Sequence, residues 1–458
     1  MYRKSMVSLL AAGLALSIGT SAVHAKTSSN AMATTVSSGA KKDSGIPINA
    51  NRMYNTIAYL SEQPREAGTQ GEWRAVQYIS KQFKALGYET KIQPYTFSAF
   101  EVDSVSASIN GSDLGEVPHA FTGTVNGNVT SQLIYVGKAN PSEIGDVKGK
   151  IALIERGDLT FVDKVKNVMD RGAIGVIMFN NTGSSNEFGQ VASGQNIPAV
   201  GITRAKGLEF VERLKSETLT ANVKVTGAGL KEKTSYNVIS SKKAMKGIDT
   251  GKTILIGAHH DSVHGGPGAN DDASGVSGVL ELAKIYSKIP TDTEIRFVTF
   301  GGEEKGLLGS YHYAESLTPS DASRIIAHFQ MDMIGGRDAG ADHPLGGLIM
   351  YTIDGNKNLV TDLGATVSSD LYETIPYGKL GRSDHQPFHE LGIPAALFIH
   401  SPVEPWYHTP EDTLDKIDKE KLKQAAEIVA GSTFQIVRPG PNYNQNPVDY
   451  PFENRPVD

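Results

Sequence analysis

The chain has 458 residues, 39% of them hydrophobic and 21% charged, with a net charge of −6. That length supports two or three domains around a large buried core. The acidic balance leaves no basic excess for phosphates, which argues against nucleic acid and membrane partners, and the absence of cysteine excludes disulfides, thiolate metal sites and a cysteine nucleophile.

The first stretch is MYRKSMVSLLAAGLALSIGTSAVHA. Arg3 and Lys4 precede an apolar run from Met6 to Ile18, and Val23 and Ala25 are placed like the small residues of a cleavage site. Residues 1–25 therefore read as a signal peptide, and the mature protein is expected to be secreted and extracellular. The run is short for a membrane anchor. Residues 26–50 are rich in Ser, Thr, Lys and Ala and read as a linker or pro-segment.

A helical period begins at Asn51 and opens the first part of a larger domain, residues 51–101. Met53, Ile57 and Leu60, then Trp73, Val76, Ile79, Phe83 and Leu86, recur at helix spacing. Gly87 fits a helix stop, and YETKIQPYTF alternates like a strand. Residues 102–225 differ in texture. SQLIYVG, GKIALIERG and IGVIMFN are short apolar strands, and TFVDKVKNVMDRGA is an amphipathic helix. The run IERGDLTFVDKVKNVMDRGAIGVIMFNN resembles the protease-associated domain, which implies a small α/β insert.

Residues 226–438 return to longer strand–helix alternation. KTILIGAH, EIRFVTFG, RIIAHFQMDM, GLIMYTI and PAALFIHS read as strands. SGVSGVLELAKIYSKI, GLLGSYHYAESL, NLVTDLGATVSSDLY and DKEKLKQAAEIVAGSTFQIV read as helices. This predicts a mostly parallel central sheet covered on both faces. The tail, residues 439–458, is rich in Pro and Asn and reads as irregular.

In open α/β sheets, sites form beyond the carboxyl ends of the strands. His259 and Asp261 follow TILIGA, Glu303 and Glu304 follow IRFVTF, and Asp332 follows RIIAHFQM. His408 lies after PAALFIHS, and Asp271 lies in the glycine-rich loop HGGPGAN-D. Without a cation, that many carboxylates on one rim would repel one another. Two divalent cations remove the conflict: three ligand carboxylates and one hydroxide balance four positive charges, and two imidazoles complete the shells. Histidine with carboxylate suits zinc, and also manganese or cobalt. Residues two apart on an extended segment face the same way, so Asp261 can orient the ring of His259 while His260 points elsewhere.

The blocks HHDSV, GANDDASG, FGGEEKGLLGS, QMDMIG and PWYHTPED resemble the metal-site blocks of the M28 zinc peptidases, in the family's order. The resemblance implies a three-layer α/β peptidase domain carrying the protease-associated insert. It also implies two Zn2+ per chain. His259, Asp271 and Asp332 would hold one ion, Asp271, Glu304 and His408 the other, and Glu303 would be the catalytic base. Asp261 and Tyr407 join Glu303 as candidate catalytic residues, Tyr407 as an oxyanion donor with a packing aromatic as its alternative. Asp272 is read as a helix cap, His260 and His264 as non-ligands, and Asp384 and His385 as pocket-shaping. The expected activity is removal of N-terminal amino acids from peptides or proteins. A carboxypeptidase of the same family is the rival, but only Arg382 lies near the blocks and no arginine cluster accompanies it. A receptor-like binding protein is a further alternative, disfavoured by the complete ligand set.

Overall fold

The computed structural model describes residues 45–182, 196–340 and 347–439. The expected signal peptide, most of the linker and nearly all of the tail lie outside the described residues. The chain divides into two compact units, with the breaks between Phe97 and Ser98 and between Glu232 and Lys233.

The larger unit is built on one mixed sheet. The strands of that sheet are β1 (Glu89–Glu101) and β2 (Gly229–Lys242), which each cross a break, and β3 (Thr253–His259), β4 (Glu294–Phe300), β5 (Ile325–Met331), β6 (Leu348–Thr352), β7 (Tyr377–Lys379) and β8 (Ala395–His400). They lie in the order β1-β2-β4-β3-β5-β8-β6-β7. The four central strands β4, β3, β5 and β8 run parallel. β2 and β6 run antiparallel to their neighbours β4 and β8.

Every residue of β3 is buried, as expected for a parallel strand covered on both faces. Its side chains alternate between two cores. Ile254, Ile256 and Ala258 join the cluster of Phe83, Tyr286, Phe297, Phe329 and Phe398. Leu255 joins Phe300, Tyr313 and Phe388 on the other face. The first cluster takes its helical layer from α1 (Ala50–Leu60), α2 (Gln70–Ala85), α3 (Ala273–Tyr286), α4 (Leu359–Leu371) and α5 (Lys419–Val437). The result is the expected three-layer arrangement.

Strand β2 (Gly229–Lys242) precedes KTILIGAH, the first strand that the sequence marks in residues 226–438. Its first residues, GLKEKT, are mostly polar, and their one large apolar side chain, Leu230, is exposed, so neither alternation nor an apolar run marks them as strand.

The smaller unit has its own sheet, with parallel pairing along Gly127–Tyr135, Ile151–Glu155, Gly175–Phe179 and Ala199–Ile202. Helices Phe161–Met169 and Arg204–Arg213 accompany it. Two apolar clusters fill it, one around Ile154, Val165 and Met178, the other around Leu153, Phe179 and Phe210.

Candidate metal centre and active site

The site forms where the sheet's connections change direction. From β3 the chain passes through α3 to β4 on one side, then crosses to β5 on the other. The carboxyl ends of β3, β4, β5 and β8 open a crevice at that switch point. His259 is the last residue of β3, and Asp332 directly follows β5. Glu303 and Glu304 sit in a short 3-10 turn after β4, and His408 lies in the loop after β8.

These residues meet around Asp271. Its Oδ1 lies 3.1 Å from His259 Nε2, and its Oδ2 lies 3.1 Å from His408 Nε2. His259 Nε2 is 3.6 Å from Asp332 Oδ1, and His408 Nε2 is 3.1 Å from Glu304 Oε2. Two triads result, His259–Asp271–Asp332 and Asp271–Glu304–His408, each with ligand-type atoms within 4.8 Å of one another. Asp271 belongs to both.

The donors fit divalent cations. Asp332 Oδ1 and Glu304 Oε1 are buried without a hydrogen-bond partner, a costly state for a carboxylate unless a cation meets it. Three protein ligands of N/O type per triad match catalytic zinc sites, which leave a position open.

The electrostatics of these side chains carry the same message. Burial, then the neighbouring carboxylates, pushes Glu303 well above the carboxylate range. Burial and the Asp271 charge push Glu304 to about 7. Burial opposes charge on His408, but its hydrogen bonds to Asp271 and Glu304 prevail and raise it to about 10. A bound cation would favour the ionised form of carboxylates raised in this way.

Neighbouring groups hold the residues of the two triads in place. Asp261 Oδ1 lies 3.5 Å from His259 Nδ1. The same carboxylate accepts the backbone N–H groups of Glu303 and Glu304 at 3.1 and 3.3 Å. Ser383 Oγ donates to Asp332 Oδ2 at 2.8 Å. Asp272 caps α3 by accepting from Gly275 N–H at 2.7 Å, and it accepts from Met333 N–H at 3.2 Å. His260 is turned away, its Nδ1 3.0 Å from Thr299 Oγ1. His264 contacts Glu66 on the surface. Asp384 is buried beside Gln330, and His385 Nε2 meets Leu380 O at 3.0 Å. Tyr407 stacks on His408 with ring centroids 3.7 Å apart.

Sequence reasoning missed two supports of the ligand loop. The buried guanidinium of Arg65 donates to the carbonyls of His260 (2.8 Å) and Gly268 (2.9 Å), and also to that of Pro267. Asp412 accepts from the N–H groups of Asn270 and Asp271 at 2.8 and 2.9 Å. Asp412 lies within the block PWYHTPED, so its position was visible but its role was not. Arg65 has no signal at all, because its partners are about two hundred positions away.

The metal triads open into a cleft of about 830 Å3. Its walls include Tyr311, Met333, Tyr351, Arg382, Leu397 and Ile399. Among the described residues of the larger unit, four non-glycine residues have left-handed backbones: Leu307 (φ 62°), Met333 (57°), Arg382 (69°) and His408 (59°). All four line this cleft. Among the described residues, no helix is long and apolar enough to cross a membrane.

Comparison with known proteins agrees with the geometry. The profile of peptidase family M28 matches residues 237–433, and that of the PA domain matches residues 121–210. Aminopeptidase YwaD of Bacillus subtilis (strain 168) is 36% identical over 407 residues, covering 86% of each chain. The structure of an aminopeptidase from Aneurinibacillus sp. strain AM-1 is 49% identical with a TM-score of 0.65, covering 87% of this chain and 96% of that one. The structure of BSAP, a zinc aminopeptidase from Bacillus subtilis, is 35% identical with a TM-score of 0.71, covering 86% and 96%. Two triads joined through one carboxylate, on the rim of this sheet and in a sequence so similar, place the chain in peptidase family M28.

Proposed function

We propose that the protein is a two-zinc aminopeptidase that removes N-terminal residues from peptides and proteins. The observation that carries this reading is Asp271, with one oxygen at 3.1 Å from each of two histidines that belong to different triads. His259, Asp271 and Asp332 would hold one ion, and Asp271, Glu304 and His408 the other. When bound, the zinc pair polarises the scissile carbonyl and lowers the pKa of the attacking water.

The chain's own groups do the rest. Glu303 stands beside the triads without belonging to either, and acts as the general base. It takes the proton of the attacking water and delivers it to the leaving amine. Asp261 holds the Glu303 backbone and faces His259 Nδ1, so one carboxylate positions the base and a ligand ring together. Burial and the surrounding carboxylates raise the Tyr407 phenol, which keeps its O–H available to the developing oxyanion.

The acidic wall of the cleft suits a free α-ammonium, and the relatives named above are aminopeptidases. The apolar wall of Met333, Leu397 and Ile399 suits an apolar first side chain. Export belongs to the same reading and rests on the charged, apolar and small-residue pattern of residues 1–25. N-terminal sequencing of protein from the medium tests it.

Blocking the substrate's amino terminus tests the activity. N-acetylation removes the ammonium, and loss of a partner for a desolvated charge costs on the order of 2–5 kcal/mol. The expected result is at least about a tenfold fall in kcat/KM for N-acetyl-Leu-anilide against Leu-anilide, with peptides amidated at the C-terminus still cleaved. Equal rates on blocked and free termini would remove the aminopeptidase assignment and leave a two-metal hydrolase.

A further inference from the structure

Among the described residues lining the cleft, Arg382 is the only Lys or Arg, and the carboxylates there are Asp271, Glu303, Glu304 and Asp332. Its side chain is exposed, and its guanidinium has no hydrogen bond, ion pair or aromatic contact with the described residues. Its backbone N–H donates to Gln386 Oε1 at 3.2 Å. Folding does not explain the residue. Its φ of 69° is a left-handed conformation in which a Cβ crowds the following carbonyl, so glycine would be favoured there. Backbone strain of this kind persists where surrounding structure enforces it, and it clusters at ligand clamps.

Position adds the second argument. Arg382 immediately precedes Ser383, whose hydroxyl bonds Asp332 at 2.8 Å. Its Cα is therefore about 3.8 Å from the Cα of a residue touching the metal centre, and its side chain reaches the cleft. A guanidinium presents a planar fork that matches a carboxylate with two parallel hydrogen bonds.

We propose that Arg382 is a specificity-determining residue that binds a carboxylate on the leaving side of the substrate. This rests on the aminopeptidase reading. The carboxylate has two sources: the free C-terminus of a dipeptide, one residue beyond the scissile bond, or an Asp or Glu side chain at that residue. In either case Arg382 is the one Lys or Arg among the described lining residues that can meet that carboxylate.

Two substrate pairs separate the sources. Leu-Gly against Leu-Gly-amide reads the terminal carboxylate, and Leu-Asp-amide against Leu-Asn-amide reads the side chain. Each kcat/KM is normalised to Leu-anilide on the same metal-loaded preparation of wild type, Arg382→Gly, Arg382→Gln and Arg382→Lys. The expected result is an acid-to-amide ratio that falls about tenfold in Arg382→Gly and Arg382→Gln for at least one pair, and less in Arg382→Lys. The thermal midpoint of Arg382→Gly is expected at or above that of wild type, because the left-handed strain is relieved. Ratios unchanged in both pairs, while Leu-anilide is still cleaved, overturn the proposal. So does a uniform loss on all substrates with a lowered midpoint, since that is the mark of a structural role. Equal cleavage of acetylated and free Leu-anilide by wild type would instead be the failure of the aminopeptidase reading.

Discussion

Asp261 accepts the backbone N–H of Glu303 at 3.1 Å while its carboxylate stands 3.5 Å from the Nδ1 of His259. One buried side chain thereby touches both the proposed base and the ring of a proposed ligand. Asp261→Asn keeps the shape but replaces one acceptor oxygen with an N–H2 donor. Supporting groups of this kind are worth about 10–100-fold in activity or metal affinity. The expected outcome is a loss of that size in kcat or in zinc retention after dialysis, with unfolding midpoints near wild type. Full activity and full zinc would show that Asp261 orients neither residue.

Glu303→Gln should keep its metal and lose most turnover. Glu303 stands outside both triads, so its charge is not needed to hold an ion. A general base contributes at least about 10²-fold, and the amide cannot carry the proton. Zinc content measured with kcat on one preparation decides it, and near-normal turnover at full occupancy would reassign the base.

Asp271→Asn should weaken both ions together. Asp271 alone belongs to both triads, and its two oxygens face different histidines. The change removes the negative charge between the ions. Loss of just one ion per chain on dialysis would mean that Asp271 serves a single metal.

The metal-free protein should lose stability as pH rises from about 6.5 to 9. The ring of His408 is raised to about 10 in the folded state, with burial opposing and Asp271 and Glu304 prevailing. A raised histidine contributes stability below its unfolded value and loses it on the way to the folded value. Burial raises Glu304, Asp384 and Asp412 to about 7, and these deprotonate at a cost up to that pH. Below about 6.5 the sign is opposed by His328 and His400, which burial lowers to about 3, and by His385, lowered to about 4. Thermal midpoints of chelated protein across this range should fall, and zinc should flatten the slope. A rising midpoint in chelated protein would contradict the crowding of charge described for the site.

Much of the molecule is legible in one dimension because two physical patterns repeat locally. Strand β3 is a continuous apolar run because both its faces are covered, and α2 repeats every three to four residues because one stripe is buried. The rule that sites gather at carboxyl ends of parallel strands then brings the candidate ligands His259, Asp271, Glu304, Asp332 and His408 to one rim without coordinates. The capping role of Asp272 is local as well, since its partner Gly275 is three residues away.

What only the tertiary structure decided depends on partners far apart in sequence. Arg65 clamps carbonyls at His260, Pro267 and Gly268, and a buried arginine bonded to backbone oxygens leaves no side-chain pattern to find. Asp412 holds the N–H groups of Asn270 and Asp271 from the opposite end of the domain. The division of Asp271's two oxygens between His259 and His408 is likewise a matter of angle and distance. So is the left-handed backbone at Arg382, because sequence spacing carries composition and period, whereas φ and the direction of a side chain are set by the packing around them.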